Sequence, residues 1–233
     1  MKNLIYSFVL CLGLVGVSFQ SHGQAAIIAL IFGDKVANES FYLRVDLGAN
    51  FTTLPGLSGA ESRTAFYYGL GTYIKINDRW SLAPEFKPLS PRGARNIPAI
   101  IDYSGTLTGV TYQANANYMD VPFLVTYTLP SHLFFSTGPQ VSFKTSAKQL
   151  AEGTSNRGTK VDARENVYDT FASTIFSVPV EVGYTFAKAR DGNTIQLRLR
   201  YNIGLSEMIA DPSYGSSRES TFQAILSLPV KGY

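Results

Sequence analysis

The chain has 233 residues, of which 20 are Lys or Arg and 17 are Asp or Glu, and Cys11 is its single cysteine. A net charge of +3 is too even to predict a nucleic-acid partner, and one thiol excludes a disulfide framework. Twenty glycines, 14 tyrosines and 15 phenylalanines favour β-structure.

The first 25 residues have the parts of a secretory signal. Lys2 supplies the positive charge, Leu4 to Phe19 is apolar, and Gly23-Gln24-Ala25 offers small residues for cleavage. The apolar run falls short of the ~20 residues that a membrane-spanning helix needs. We therefore predict residues 1–25 as a cleaved signal, 26–38 as a short periplasmic segment or the tail of the signal, and 39–233 as one domain.

The rest of the chain alternates apolar and polar residues, which is the pattern of a strand with one apolar and one polar face. The clearest stretch is the hairpin Tyr118 to Lys144, with a turn at Thr128 to Ser131. Eight strands are predicted in all: Phe41–Phe51, Ala65–Ile76, Trp80–Leu89, the two of the hairpin, one within Phe171–Phe186, Thr194–Leu205, and Thr221 to the end.

Prolines interrupt this pattern. A proline lacks the N–H that pairs with a neighbouring strand, and a closed sheet has no free edge on which to place it. We therefore predict β-bulges at Pro84, Pro122, Pro139 and Pro179.

The connections alternate between long and short. The short ones are predicted at Asn77 to Arg79, Thr128 to Ser131 and Ala187 to Gly192, and the long ones at 52–63, 90–117, 145–169 and 206–220. An even strand number with short turns at one rim and long loops at the other is typical of an outer-membrane barrel. The predicted fold is therefore all-β, an eight-stranded antiparallel transmembrane up-and-down β-barrel with short periplasmic turns and long extracellular loops.

A soluble lipocalin-like barrel, with its apolar face inward, has the same periodicity. The membrane barrel is favoured because the polar face carries many glycines and charges of both signs, which suit a narrow lumen filled by its own side chains. Aromatic residues beside the short turns on the apolar face predict a periplasmic aromatic girdle: Trp80, Tyr127, Tyr184 and Phe186.

Three stretches resemble the PorT-like outer-membrane β-barrel family of Gram-negative envelopes. They are Y-M-D-V-P-F-L-V-T-Y with G-P-Q-V-S-F, D-R-W-S-L-A-P-E-F-K-P-L-S, and A-A-I-I-A-L-I-F-G-D-K. The resemblance implies a small barrel in the outer membrane. The family's name-giving member is associated with a protein secretion and gliding machinery, so an accessory role there is one implied function.

Ten charged residues on the polar face predict an ion-pair network in the lumen: Arg44, Asp46, Lys75, Glu85, Lys87, Asp120, Lys144, Glu181, Arg198 and Arg200. Such a network either closes the lumen or lines a narrow channel for small solutes. Closure is favoured, since eight strands leave little open cross-section and buried charges must be paired.

Enzyme function is not predicted. His132 is the only histidine outside the predicted signal and follows a short turn, where a solvated side chain is expected. Glu85, Asp120 and Glu181 have no metal-ligand spacing, and no phosphate-binding loop or cofactor motif is present.

Interaction is the remaining class of function. Basic residues in the long loops, including Arg92, Lys148 and Arg164, suit either lipopolysaccharide head groups or an envelope protein. The sequence therefore predicts a monomeric barrel with a structural or partner-docking role.

Overall fold

The computed structural model describes residues 41–188, 194–211 and 216–230. The predicted signal, the segment 26–38 and most of the predicted turn after Ala187 lie outside the described residues.

Ten antiparallel strand segments in the described part of the chain form one sheet. In chain order they are β1 (Phe41–Thr53), β2 (Glu61–Lys75), β3 (Trp80–Arg95), β4 (Leu107–Thr128), β5 (Leu133–Thr137), β6 (Gln140–Ser155), β7 (Lys160–Asn166), β8 (Thr174–Lys188), β9 (Thr194–Glu207) and β10 (Arg218–Pro229). β10 pairs with β1, and β3 pairs with β4, so the sheet closes into a ring.

The ring has eight strands because two of them are each broken into two segments. β4 pairs Val125 with Thr137 of β5 and Pro122 with Gln140 of β6, so the register continues across Gly138 and Pro139. β7 and β8 both lie beside β6, and the chain leaves the wall between them to form a 3₁₀ turn at Tyr168–Thr170.

The prediction of bulges at the four prolines was wrong. Pro84 pairs in register with Phe123, Pro122 with Gln140 and Pro179 with Asn202, and the register is also unbroken past Pro139. The missing donor at Pro139 is accommodated by ending β5 and starting β6 on either side of it, not by inserting a residue. Register shifts occur elsewhere, for example between Lys87 and Ser90.

Two predicted long loops are largely strand. β3 continues to Arg95 and β4 begins at Leu107, which leaves 96–106 as the loop in place of 90–117. β6 continues to Ser155, and β7 fills much of the predicted loop 145–169. These additions build a three-stranded wall at the long-loop end, which we call the upper sheet: the β4 residues 107–117, the β6 residues 146–155, and β7.

The upper sheet was missed because its outward side chains are polar. Below it, outward residues such as Met119, Val121 and Phe143 give the apolar alternation, whereas Asn115, Lys148 and Arg164 do not. Without an apolar face the period of two is not visible as hydropathy.

Candidate functional site in the barrel interior

The polar face of the ring points inward and the apolar face points outward. Arg198, Arg200 and Lys87 are fully buried, whereas the apolar side chains of the same strands are exposed. The outward set includes Phe66, Trp80, Phe123, Phe135, Phe176, Val180, Leu197, Leu199, Tyr201, Leu205, Phe222 and Leu226. This sidedness contradicts the lipocalin-like alternative, whose apolar face would be inside.

Glu85 is the centre of the main charge cluster. Its carboxylate accepts hydrogen bonds from Arg44 Nη2 at 2.6 Å, from Arg198 Nη2, and from both terminal nitrogens of Arg200 at 2.7 and 2.8 Å. A carboxylate that receives this many charge-assisted bonds is strongly held. Glu85 therefore links three strands of the ring, β1, β3 and β9.

Two further carboxylates complete the pairing of these arginines. Glu181 Oε2 accepts from Arg198 Nη2 and from Arg200 Nε, each at 2.8 Å. Asp46 Oδ2 accepts from Arg198 Nη1 at 3.0 Å, and Asp46 Oδ1 accepts from the Ser227 hydroxyl. The central cluster thus contains three carboxylates and four cations, of which the fourth is Lys87.

Lys87 extends the cluster toward the long-loop end through neutral groups. Its Nζ lies 3.7 Å from Glu85 Oε2 and donates to Gln223 Oε1 at 3.0 Å. The Gln223 amide donates to Asn50 Oδ1 at 2.7 Å, and Lys87 Nζ lies 4.8 Å from the centre of the Tyr67 ring. Amide and ring contacts stabilise the ammonium where carboxylates are fewer.

Arg92 forms a second cluster above the first. It donates to both oxygens of Asp120 at 2.9 Å, and its Nε lies 2.6 Å from Glu219 Oε2. The Tyr118 ring lies beside the guanidinium, 5.2 Å away. One cation and two carboxylates here offset the surplus cation below, so the two clusters together hold five cations and five carboxylates.

An apolar cluster lies inside the ring above the second charge cluster. Residues of loops and of strands point inward and are buried there: Leu54, Leu57, Ala94, Ile97, Ala114, Ala116, Tyr118, Ala147, Val167, Phe171, Ile175, Met208 and Ile209. Phe171 and Ile209 also form an isolated bridge between the segment after β7 and the β9–β10 connection. The ion pairs predicted for the lumen are present inside the ring, and buried apolar side chains lie at its long-loop end.

The structure brings together seven of the ten predicted lumen charges in the central cluster: Arg44, Asp46, Glu85, Lys87, Glu181, Arg198 and Arg200. Asp120 lies in the second cluster. Lys75 does not enter the network: it lies at the end of β2 and pairs with Asp78 at 2.8 Å, and the Asp78 side chain is 95 % exposed. A charge one residue from a turn reaches the rim more easily than the dry interior.

Lys144 is buried, as its position predicts, and the hydrogen bonds that it donates go to backbone oxygens. Its Nζ donates to the backbone oxygens of Tyr168 and Phe171 and lies 3.8 Å from the centre of the Tyr168 ring. Lys144 thus fixes the segment between β7 and β8 to the top of the lumen.

Sequence reasoning missed Arg92 and Glu219, because both fell in predicted loops. Glu219 continues the inward alternation of Thr221 and Gln223 by one step, so extending β10 backward would have found it. Arg92 follows the register shift between Lys87 and Ser90, which changes the inward positions from odd to even numbers. Alternation alone would have pointed Arg92 outward.

The four predicted girdle residues lie near the short-turn rim and form two ring pairs. Trp80 and Tyr127 have ring centres 4.8 Å apart, and Tyr184 and Phe186 are 5.2 Å apart. His132 lies in the turn beside them with a φ of 69°, and its ring meets Tyr184 edge-on. Among the described residues no group of His, Cys, Asp or Glu is arranged to hold a metal ion.

The loop 96–106 packs against the upper sheet through side-chain hydrogen bonds. The Gln149 amide accepts from the backbone of Ile100 and Ile101 and donates to the Ile101 oxygen. Asp102 accepts from the Ser104 backbone and the Tyr112 hydroxyl, and these bonds lower the pKa of the Asp102 carboxyl from its usual 3.8. The hydrogen bond to Glu165 raises the pKa of Tyr103.

A closed antiparallel ring with a polar, filled interior and an apolar exterior defines a membrane-spanning β-barrel. The chain belongs to the outer membrane protein beta-barrel domain family, whose model matches residues 37–210. It is accordingly an outer-membrane protein; in barrels of this class the long loops are generally extracellular. Within the described residues no helix is long and apolar enough to cross a membrane.

Several solved barrels are similar to the chain at low identity. The attachment invasion locus protein Ail of Yersinia pestis is 11% identical over 83% of this chain and 98% of Ail, with a TM-score of 0.43. Neisserial surface protein A is 13% identical over 81% and 96%, with a TM-score of 0.40, and the N-terminal barrel domain of Pseudomonas aeruginosa OprF is 12% identical over 80% and 96%, with a TM-score of 0.32. No curated protein matches the chain.

Proposed function

We propose that the barrel is a closed, non-catalytic protein of the outer membrane that has a structural or partner-docking role. The observation that carries this proposal is the filled lumen. Arg92, Arg198 and Arg200 are fully buried and paired with carboxylates, and an apolar cluster lies above them. Buried ion pairs that also satisfy one another's hydrogen bonds resist opening, because each separated charge would have to be rehydrated.

A narrow channel for small solutes is the competing function, and conductance separates the two. Refolded barrels in planar lipid bilayers should give no discrete conductance steps under a closed lumen. A channel lined by these arginines would conduct, and Arg198→Ala or Arg200→Ala would change its conductance. Discrete steps in the unaltered protein, modified by either substitution, would overturn the closed-lumen proposal.

The docking role rests on the upper sheet, which rises above the apolar band and exposes charges of both signs on its outer face. Its chemistry suits lipopolysaccharide head groups or an envelope protein. In this proposal each barrel is a monomer within its membrane, and membership of the PorT-like branch, with an accessory role in secretion, remains a prediction from the sequence.

Docking is tested by shortening the upper sheet. Lys148 and Asn166 pair across β6 and β7, so an Asn-Gly turn that joins them would remove residues 149–165 with little disturbance below. We expect the shortened barrel to show the heat-dependent gel shift of a folded membrane barrel but to lose envelope proteins that co-purify with the full chain. Unchanged co-purification would place the docking surface elsewhere.

A further inference from the structure

The outer edge of β7 is unpaired within the described residues. Among the described strands β7 is the last of the sheet and pairs with β6 alone, because the described part of the β9–β10 connection turns inward at Met208 and Ile209. The hydrogen bond from Val167 N to Ala147 O shows that the backbone N–H and C=O groups of the odd-numbered residues of β7 point toward β6. The backbone groups of Lys160, Asp162 and Arg164 therefore point to the open edge.

An open edge usually pairs with another strand unless charges prevent it. Here the exposed charges alternate in sign along the edge: Lys160, Asp162 and Arg164. Among the described residues none of these three side chains has an ion pair, although Glu165, which faces the other side, accepts from the Tyr103 hydroxyl. The pattern therefore predicts a partner strand that carries the complementary order of charges.

We propose that the partner is β7 of a second copy of this chain, paired antiparallel about Ala163. In that register Asp162 lies opposite Arg164 of the other copy, and Arg164 lies opposite Asp162, which gives two cross-strand ion pairs. Lys160 then meets Asn166, and Val161 meets Glu165. Oppositely charged residues directly across a strand pair stabilise it, and like charges destabilise it.

Backbone geometry selects the same register. Asp162 and Arg164 have the N–H and C=O groups that face the open edge, so their pairing is a hydrogen-bonded one. Ala163 then faces Ala163 at a non-hydrogen-bonded position, where small side chains allow close approach. A shift by two residues in either direction puts Asp162 against Asp162 or Arg164 against Arg164, and it shortens the paired strand.

Symmetry determines where the second copy lies. The two-fold axis of an antiparallel pair is perpendicular to the sheet, and the wall of a membrane barrel has its perpendicular in the membrane plane. Rotation about such an axis inverts the barrel. The second copy is therefore in an opposing membrane, and the contact joins two outer membranes head to head while each barrel stays a monomer in its own. The inference depends on the outer-membrane orientation but not on whether the lumen is closed.

The register is tested by cysteine crosslinking of the full chain in detergent, with Cys11→Ser so that the new thiol is the only one. Ala163→Cys should form a disulfide-linked dimer under mild oxidation. Val161→Cys is the matched control on the same strand and face, because position 161 faces itself only in a shifted register. A failure of Ala163→Cys to crosslink, or equal crosslinking by both variants, would overturn the proposed pairing.

Charge exchange tests the ion pairs. In the Ala163→Cys background, Asp162→Arg places Arg against Arg and Arg164→Asp places Asp against Asp, so each should lose the dimer. The double exchange should restore it, and a mixture of the two single variants should form a mixed dimer. All variants should keep the heat-dependent gel shift, so a lost dimer would not reflect lost folding. Dimers that are insensitive to these charges would refute the proposal.

Contact between opposing membranes is tested with bacterial cells that carry the chain in their outer membrane. Cells with the unaltered chain should aggregate, and cells with either single charge variant should stay dispersed. Mixing the two dispersed populations should restore aggregation. Cells that stay dispersed although the detergent dimer forms would refute the head-to-head arrangement. A conducting lumen would leave this result unchanged and would overturn only the proposed closure.

Discussion

The lumen is filled in two ways, by ion pairs across its middle and by apolar side chains at its long-loop end. The charged filling comes from regular strands: Glu85, Glu181 and Arg198 project inward from positions that alternate along β3, β8 and β9. Small side chains of the wall, such as Ala114 and Ala116, contribute to the apolar filling, but its larger side chains come mostly from places where the chain leaves the wall, such as Leu57, Phe171 and Met208.

This difference follows from what each part of the barrel contacts. In the middle, lipid occupies the outside, so apolar residues face outward and polar residues must fill the inside and pair with one another. Above the membrane, water is outside, so the apolar residues of the connections are free to fold inward as in a soluble protein. The two fillings should therefore respond differently to substitution.

Removal of the central carboxylate should have the largest effect. Glu85→Ala leaves Arg44, Arg198 and Arg200 without their shared acceptor, and breaking a buried pair costs about 3–5 kcal/mol. We expect the free energy of unfolding to fall by that amount in urea titrations of the folded barrel in lipid. Trp80 is the single tryptophan and lies exposed near the rim, so its fluorescence reports the transition.

The matched control removes a carboxylate whose ion pair is exposed. Asp78→Ala breaks the pair with Lys75 at the rim, where exposed pairs contribute little to stability. Equal unfolding midpoints for Glu85→Ala and the unaltered barrel would mean that the network adds no stability.

Removal of an apolar side chain from the lumen should destabilise the ring less than Glu85→Ala does, but it should loosen the loops more. Phe171 is 2 % exposed, and Phe→Ala in a packed core costs about 3 kcal/mol. Because the cluster holds connections rather than the ring, we expect Phe171→Ala to keep its heat-dependent gel shift while trypsin cuts faster at exposed residues such as Arg157. Phe176→Ala, on the outward face, is the control, and equally fast cutting there would contradict a local role for Phe171.

The charged middle was largely predictable from the sequence, whereas the long-loop end was not. Alternation fixes the side of Arg44, Asp46 and Glu181 because lipid imposes an apolar outer face. Alternation does not give the position of a residue along the barrel axis. Lys75 was therefore assigned to the lumen although it lies at the rim. Pairing partners depend on strand register, and a register shift such as the one before Arg92 has no hydropathy signal.

At the long-loop end water lies outside the strands, so the rule of an apolar outer face no longer applies. β7 reads K-V-D-A-R-E-N, with charges on both faces, and is typical of a loop by composition. Its strand state depends on pairing with β6, residue for residue from Lys148–Asn166 to Thr154–Lys160. Such pairing is a long-range property that single-residue preferences do not carry.

A steric clash introduced at the short-turn end should lower the stability of the barrel by an intermediate amount. Gly183 faces the buried Phe134 ring, and a Cβ added at Gly183 would lie 2.6 and 2.8 Å from two of its carbons. Overpacking of this kind costs about 1–3 kcal/mol. We expect Gly183→Ala to lower the free energy of unfolding in urea by that amount and Phe134→Leu to restore part of it in the double variant. Simple addition of the two losses would contradict direct contact.

The smallest expected effect is the pH response of the loop that covers the upper sheet. Hydrogen bonds from Ser104 and Tyr112 hold the pKa of Asp102 below its usual 3.8. Their stabilising effect is therefore complete above that unfolded value and is lost as the pH falls through the lower folded value. Amide exchange in residues 100–106, corrected for intrinsic rates, should rise over this interval while exchange in β8 stays constant.

Asp102→Asn keeps the acceptor oxygen but removes the titration, so its loop should exchange at a rate that no longer depends on pH over the same interval. A rise that persists in this variant would mean that a group other than Asp102 controls the loop. Because Asp102 is exposed and the charged middle is not, the response should leave the unfolding midpoint of the barrel unchanged. The connections would then loosen without the ring, as expected if the two fillings of the lumen are independent.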